Sequence, residues 1–527
     1  MTLYLPAKAI PAAHAAAYAR GAAAFEAGDW NAAITAYTEA LNYHEDANTW
    51  TNLGAIYQQN WKLGQAIRCY RRALTLDPDQ AQALGNLANV YGDTLEPERG
   101  LRLKREAVAL LQRSGDRAAT LAAHAELVFT ATTLRTLPAF AAEMRDFCRQ
   151  RLSRPIRPWV LPPAPRDRKI RLGYLSADFN RHTVMVLLEP LFQHYDRERF
   201  ELFLYSNTDK PDDLTARLKT EHRFYDISRR TDRAAELLMR QHKLDLLVDL
   251  SGYSSGHRLP LLARKPAPRI ATGLGFITPI AHPAIDYVLL DDAMIPDHQA
   301  HLIPERLARI PSNMFYRPEP ELPLQVPDRA AVVFGSANSL FKLNDTVIEC
   351  WAHILRLIPS SLLSLRAKAL SDPEILEKLK ARFADHGIDP TRILGAGAGS
   401  RREFMEWYHG VDIALDPFPY QGGVTSSEAL YMGCPLIACD AGGINTSVSI
   451  LRAADLGEYV AATPEDYVRL AVHLGLAVGA LDGSKRLAIR QHIRQQISRS
   501  PIFDAGAFVG SLERAYEQIL AGKDSPP

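Results

Sequence analysis

The sequence predicts a short arm of helical repeats followed by two parallel-sheet α/β lobes, each sheet covered by helices on both faces. Three observations carry that reading. Small and aromatic residues recur about every 34 positions before residue 112. A proline-rich stretch then interrupts the chain at 155–165. Beyond it, short apolar runs alternate with helical stretches, and the rhythm restarts near residue 332. A chain of 527 residues, against about 100–200 per domain, is expected to build several cores.

The repeat is read first. Trp50, Leu53, Gly54 and Tyr57 make the W-x2-L-G-x2-Y pattern that opens a tetratricopeptide repeat. Ala66, Tyr70, Ala73 and Pro78 follow at the spacings of its second helix. One period onward lie Leu84, Leu87, Ala88, Tyr91, Gly100 and Ala107. One period back lie Gly21, Ala33, Tyr37 and Ala40, with Gly28-Asp29 at the turn between helices. Small residues let paired helices approach, and large ones fill the space between neighbours. An alanine-rich helical bundle without repeat geometry is the plainer alternative. Residues 1–112 are assigned to the repeats, at about the three-repeat minimum for a stable stack.

Residues 113–165 are a helical extension, continuing to about Leu152, and then a linker. Pro155, Pro158, Pro162, Pro163 and Pro165 cannot continue a helix or a central strand. The first lobe, 166–328, opens with the apolar runs Ile170–Leu175, Phe200–Tyr205 and Leu244–Leu250. The second, 329–527, has Val332–Gly335, Ser361–Leu365, Arg392–Leu394, Val411–Leu415 and Pro435–Ala438. Amphipathic helices close the chain through Ile519, before a polar tail at Ser525-Pro526-Pro527. Two such units point to Rossmann-like halves with a cleft between them and ligands at the carboxyl ends of strands.

Lysine and arginine total 61 and aspartate and glutamate 60, a formal charge of +1. Near-neutrality argues against a protein that coats nucleic acid, although it leaves room for a local phosphate site. The five cysteines, Cys69, Cys148, Cys350, Cys434 and Cys439, are scattered without a CxxC pair. This excludes a disulfide scaffold or thiolate zinc module and fits a reducing compartment. Met1–Pro11 lacks the features of a signal peptide, and Ala12–Ala27 is broken by His14, Arg20 and Glu26. No uncharged apolar run reaches the roughly 18–20 residues of a membrane span. The expectation is a cytoplasmic protein with neither nucleic acid nor membrane as partner.

The stretch richest in chemistry is Leu415–Ile437, LDPFPYQGGVTSSEALYMGCPLI. A strand ends at Asp416, a proline- and glycine-rich loop follows, and a helix begins near Thr425 with Ser426, Ser427 and Glu428. Gly422 and Gly423 permit close backbone approach. The helix N-terminus offers unpaired N–H groups and a positive dipole end, a seat for phosphate. The plainer alternative is a capped helix after a turn, with Glu428 serving its first turn. A second stretch, Phe334–Leu343, runs a strand into the small residues Asn338 and Ser339 and then Lys342, a point charge for a pyrophosphate or simply a solvated side chain. A third, Ser176–His182, places His182 after a strand, as a general base or a surface residue.

The runs GYLSADFNRHTV, LLVDLSGYSSGHRLPLLARKPAP, FGSANSLFKLND and LDPFPYQGGVTSSEALYMGCPLI, in that order behind tetratricopeptide repeats, resemble the O-GlcNAc transferase/SPINDLY family, above all its bacterial repeat-containing members. The resemblance covers about residues 15–520. It implies a helical arm joined to a two-lobed GT-B glycosyltransferase. By resemblance, Lys342 matches the lysine that contacts the donor diphosphate, and Gly423, Val424 and Thr425 match the phosphate-binding stretch. Glu428 stands where members hold the ribose, and His182 matches the first histidine of the D-F-x-x-H motif in the catalytic cleft. Arg401 lies near a position that contacts base or ribose. Asn338, Ser339, Gly422 and Ser426 complete the expected donor-binding set.

The implied activity is inverting, metal-independent transfer of a GlcNAc-type sugar from a nucleotide diphosphate to serine or threonine of a protein held along the arm. UDP-GlcNAc or another nucleotide sugar is the donor, and no cofactor is expected. A GDP-fucose-using enzyme and a catalytically decayed scaffold remain alternatives. Departures from the family pattern motivate the latter: Val186 replaces a second histidine, Val424 a hydroxyl residue, Ser339 a glutamine found in some members, and Asn445 an arginine. Gly275–Pro279 also replaces the usual Gly-Tyr-Pro-Gly-Thr.

Three motifs are set aside. Gly395–Ser400 suggests a dinucleotide loop but lacks its last glycine. Asp77-Pro78-Asp79 falls in a repeat turn, and His282, His301 and His409 lack metal-ligand spacing.

Overall fold

The computed structural model describes residues 11–156, 159, 167–295, 297–311, 315–316, 322–327 and 329–522. Most of the expected proline-rich linker, nearly all of Met1–Pro11 and the tail Ser525–Pro527 lie outside these residues. The chain divides into two compact units. One comprises Met1–Leu127 with Ser339–Asn344 and Leu365–Ala398; the other holds the remainder.

Eight helices come first: α1 (Ala12–Glu26), α2 (Trp30–Tyr43), α3 (Ala47–Gln59), α4 (Leu63–Leu76), α5 (Ala81–Asp93), α6 (Pro97–Ser114), α7 (Arg117–Leu134) and α8 (Leu137–Arg151). The pairs α1/α2, α3/α4 and α5/α6 are the three expected repeats. Their fit is small against large. A Cβ on Gly54 would stand 2.7 Å from Cε1 of Tyr70, so the α3 glycine makes room for the α4 ring. In the third repeat Lys104 stands one period beyond Tyr70 and is buried, its Nζ donating to Asn89 Oδ1 and Glu126 Oε2. Burial pushes this ammonium below its usual value and Glu126 opposes the shift.

The N-terminal lobe runs β1 (Ile170–Ser176), α9 (Thr183–His194), β2 (Phe200–Ser206), α10 (Asp213–Glu221), β3 (Arg223–Asp226), α11 (Asp232–His242), β4 (Leu246–Asp249), α12 (Leu259–Leu262), β5 (Ile270–Gly273), β6 (Tyr287–Leu290) and β7 (Arg306–Arg309). Its strands stand in the order β3-β2-β1-β4-β5-β6-β7, with every neighbouring pair parallel. Register is set from Ile170 opposite Phe200 and Leu172 opposite Leu246.

The C-terminal lobe runs β8 (Val333–Ser336), α13 (Asp345–Leu357), β9 (Leu362–Arg366), α14 (Pro373–Ala384), β10 (Ile393–Ala396), α15 (Arg401–Trp407), β11 (Ile413–Leu415), α16 (Val424–Tyr431), β12 (Leu436–Cys439), α17 (Thr446–Ala453), β13 (Val460–Ala461), α18 (Pro464–Gly479), α19 (Gly483–Arg499) and α20 (Ala505–Ala521). The strand order is β10-β9-β8-β11-β12-β13. Both sheets thus reverse direction beside their first strand, between β1 and β4 and between β8 and β11. In open α/β sheets that point is where ligands bind.

One assignment changes. Chain order places α20 with the 329–527 lobe, but its apolar face, from Phe508 to Leu520, packs into the N-terminal core with Tyr174, Leu188 and Leu191. Tyr174 and Tyr516 join hydroxyl to hydroxyl at 3.1 Å. Leu187 of α9 packs against both lobes' cores, and Ser449 Oγ donates to Asp291 Oδ2.

Candidate functional site

At the switch point of the C-terminal sheet, β11 delivers Asp416 to a fully buried position. Its Oδ1 accepts the Gly422 N–H at 3.0 Å, and the Ser426 hydroxyl and Asn338 Nδ2 at 3.4 Å each. The 417–423 loop is therefore pinned from beneath. Gly422 is required there, because a Cβ would stand 2.2 Å from Ser426 Oγ and 2.8 Å from Asp416 Oδ1. Gln421 locks the other side, donating to the Cys439 carbonyl at 2.7 Å and accepting the Ser447 N–H at 2.8 Å at the start of α17.

The two helices leaving this region differ in one respect. The Gln421 side chain satisfies the first turn of α17, whereas α16 starts after Gly423 with no side-chain cap. A helix start without a side-chain cap presents N–H groups and dipole to an anion. Thr425, in its first turn, donates through Oγ1 to Asn338 Oδ1 at 3.3 Å, while its carbonyl accepts from Tyr408. Gly422, Gly423, Val424, Thr425 and Asn338 thus gather at one place.

Ser426 and Glu428 both lie on α16. Both are buried, and the Ser426 hydroxyl bonds Asp416 and Ser447. Ser426 supports the loop from below. The Glu428 carboxylate takes a hydrogen bond from Tyr316 at 2.7 Å and an ion pair from Arg401, whose other nitrogen donates to the Tyr316 hydroxyl. Burial pushes the Glu428 carboxyl up and Arg401 opposes the rise. The structure therefore brings Arg401 and Glu428 together as a pair. Tyr316 is the member the sequence did not reveal, since a lone tyrosine in a crossover carries no motif.

Ser339 precedes a single turn, Leu340–Lys342, that follows β8; the Lys342 N–H closes it on the Ser339 carbonyl at 3.1 Å. Ser339 is exposed and Leu340 buried.

At the N-terminal switch point, His182 caps α9. Its Nδ1 lies 3.3 Å from the Val184 N–H and 3.7 Å from Asp178 Oδ2, and the side chain is 50% exposed. Two tautomers compete. With Nδ1 accepting from Val184, the neutral ring carries its proton on Nε2. With Nδ1–H turned to Asp178, Nε2 is free to accept a proton. Burial raises the Asp178 carboxyl and His182 opposes that shift. Val186, one turn along α9, is 50% exposed. Asp249, at the end of β4, accepts the Gly252 N–H at 2.8 Å and is pushed by burial to about 6; sequence reasoning did not single it out.

The remaining motifs resolve structurally. The Ala398 N–H is taken by Ser371 Oγ at 2.8 Å, and Ser400 and Glu403 cap α15 reciprocally, so 395–400 is no dinucleotide loop. Asp77 accepts the Asp79 N–H in a turn. His282 is buried against the Leu152 carbonyl, and His409 contacts the Pro323 carbonyl. Asn445, the departure from arginine, is buried and donates to Asp440. Among the described residues no helix is long and apolar enough to cross a membrane.

The profile of glycosyl transferase family 41 matches residues 133–319 and 322–512. This chain belongs to glycosyl transferase family 41. A tetratricopeptide-repeat profile matches residues 47–80. A rice protein (Oryza sativa subsp. japonica) named probable UDP-N-acetylglucosamine–peptide N-acetylglucosaminyltransferase SPINDLY is 32% identical over 371 residues, 68% of this chain and 39% of that one. The barley (Hordeum vulgare) protein of the same name is 33% identical over 68% of this chain and 39% of its own. The chain thus spans about two fifths of the length of these relatives. A solved structure of a lysine-to-methionine mutant of Thermobaculum terrenum O-GlcNAc transferase superposes with a TM-score of 0.85 at 30% identity, covering 98% of this chain and 99% of that one. The helical-repeat and two-Rossmann-lobe architecture is thereby the family's.

Proposed function

We propose that this family 41 chain is a protein O-glycosyltransferase, moving a GlcNAc-type sugar from a nucleoside diphosphate to a serine or threonine hydroxyl with inversion. The observation that carries the reading is the helix start of α16, without a side-chain cap, above a buried carboxylate at a sheet switch point. Such a seat is built for phosphate.

The acceptor oxygen attacks the anomeric carbon from the face opposite the diphosphate. The bond from that carbon to the phosphate oxygen breaks, and its electron pair leaves with the diphosphate. The hydroxyl proton passes to Nε2 of His182 when Nδ1–H is directed to Asp178. The first-turn N–H groups of α16 stabilise the charge developing on the leaving group, commonly the largest single contribution to such catalysis, and the family resemblance implies a diphosphate contact for Lys342. In this scheme the protein supplies that positive charge itself, so the reaction is metal-independent and needs no cofactor beyond the donor. The Arg401–Tyr316–Glu428 cluster, which holds α16 through Glu428, orients the ribose end of the donor. The acceptor protein lies along the repeat arm. Five free, buried cysteines fit a cytoplasmic setting.

The test is incubation with a panel of nucleotide sugars, reading acceptor mass, alongside thermal shift with UDP and GDP. A nucleotide at 100 times its Kd should stabilise the fold by about 2.7 kcal/mol. Stabilisation by GDP with transfer of fucose would move the donor to that sugar. Neither stabilisation nor transfer would leave the scaffold reading.

A further inference from the structure

The first compact unit joins the repeat arm to two short pieces of the C-terminal half, Ser339–Asn344 and Leu365–Ala398. The joint is specific. Helix α4 has Lys62 at its cap position and no side-chain cap there. Asp372 supplies one from 308 residues away: its Oδ2 accepts the Gly64 N–H at 2.9 Å, while its Oδ1 accepts the Glu374 N–H at 3.0 Å at the start of α14. One buried carboxylate thus serves two helix N-termini, where negative charge is stabilised by both dipoles. Gly64 leaves the space this needs, since a Cβ there would stand 2.2 Å from Glu374 Oε2.

The contact continues along α14 at four-residue spacing. Glu374 receives both arms of the Arg68 fork, at 2.8 and 3.0 Å. Lys378 pairs with Glu96, and Arg382 donates to the Leu95 carbonyl at 2.9 Å. Leu95 and Glu96 follow Thr94, the C-cap residue of α5. That helix, at Gly92, meets the turn that carries Lys342: a Cβ on Gly92 would lie 3.7 Å from Cβ of Phe341. Phe341 precedes Lys342 in the three-residue turn whose Leu340 is buried.

We propose that the repeat arm positions the donor lysine: α5 seats Phe341, and the clamp of Asp372, Glu374, Lys378 and Arg382 on α4 and α5 fixes that seat, making Arg68 and Glu96 positioning residues for Lys342. The role of Lys342 toward the diphosphate rests on the function proposed above; the seating of its turn does not. Arg68 and Glu374 are more than half exposed, so breaking their pair leaves the fold standing while loosening the clamp.

The experiment compares the full chain with Arg68→Glu, Glu374→Arg and the double exchange, in the parent and in a Lys342→Ala background. Isothermal titration with UDP and GDP, donor and acceptor KM, and amide hydrogen exchange over 339–344 are measured. Arg68→Glu is expected to weaken the binding nucleotide and raise donor KM about fivefold, with acceptor KM unchanged, and to speed exchange over 339–344. The double exchange should recover most of both. In the Lys342→Ala background Arg68→Glu should change nucleotide affinity less than twofold, because two residues acting through one contact are not additive. Equal losses in both backgrounds, or unaltered exchange over 339–344, would overturn the proposal. If the parent binds neither nucleotide, the donor reading fails, and exchange over 339–344 still decides whether the arm seats the turn.

Discussion

In the N-terminal sheet the strand order reverses between β1 and β4, and the groups gathered there are titratable. His182 is half exposed with two competing partners for Nδ1, and burial raises both Asp178 and Asp249. In the C-terminal sheet the order reverses between β8 and β11, and the groups there hold a loop and a helix start in place. The start of α16 has no side-chain cap, Asp416 pins its loop from beneath, and the nearby carboxylate of Glu428 is paired with Arg401. The same topology thus ends in two chemistries. What separates them is how a helix start is filled: His182 fills that of α9 with its own ring, whereas α16 starts after Gly423 with no side-chain cap.

The strongest way to break this contrast is to remove the C-terminal half's added cation. Lys342→Ala is expected to lower kcat by about 10²–10³, the cost of losing one preorganised donor to developing charge. Circular dichroism should be unchanged. Parent-like transfer by this variant would refute the role given to Lys342.

Next in size is Gly422→Ala. The methyl group meets Ser426 Oγ and Asp416 Oδ1, so the loop must move, at about 1–3 kcal/mol for overpacking. Nucleotide affinity should fall about tenfold while His182-dependent behaviour, read as the pH profile, keeps its shape. Unaltered affinity would show that the α16 loop does not hold the donor.

The α16 loop was legible in sequence because it is local: strand, glycines and helix start follow one another within ten residues or so. Strands β1, β2 and β4 were legible as apolar runs. β3 (Arg-Phe-Tyr-Asp) and β7 (Arg-Leu-Ala-Arg) were not, because edge strands carry charge that guards them against pairing and erases the apolar run. The partners of site residues escaped for a different reason. Tyr316 reaches Glu428 across 112 positions and Asp372 reaches Gly64 across 308, and no local pattern encodes a contact of that range. The α20 crossing escaped in the same way, its amphipathic face being visible but its destination not.

Asp178→Asn sharpens the proton side. While Asp178 is ionised it favours Nδ1–H, leaving Nε2 as acceptor; once protonated it releases Nδ1 to Val184. Since burial raises the Asp178 carboxyl, activity should fall on the acid side as pH drops through that raised value. Asparagine should lower kcat about tenfold and remove that limb from the profile. An unchanged limb would mean that Asp178 does not set the ring.

The smallest effect is on stability alone and compares buried carboxyls with and without a cation. Glu305 accepts the Ile280 and Ala281 N–H groups through Oε1, with Cys148 and Tyr253 nearby, and burial pushes it to about 7. Its folded value is raised, so the neutral form is the favoured one. The stability this contributes is complete below the ordinary 4.5 and is lost as pH rises through about 7. Glutamine keeps an oxygen for both N–H groups and cannot ionise. Glu305→Gln should therefore flatten the fall in Tm between about pH 5 and 8, by a few degrees at about 2–4 °C per kcal/mol. Differential scanning calorimetry across that range decides it. Parallel curves for parent and variant would mean that Glu305 is held ionised, and burial without a cation would then not keep this carboxyl neutral.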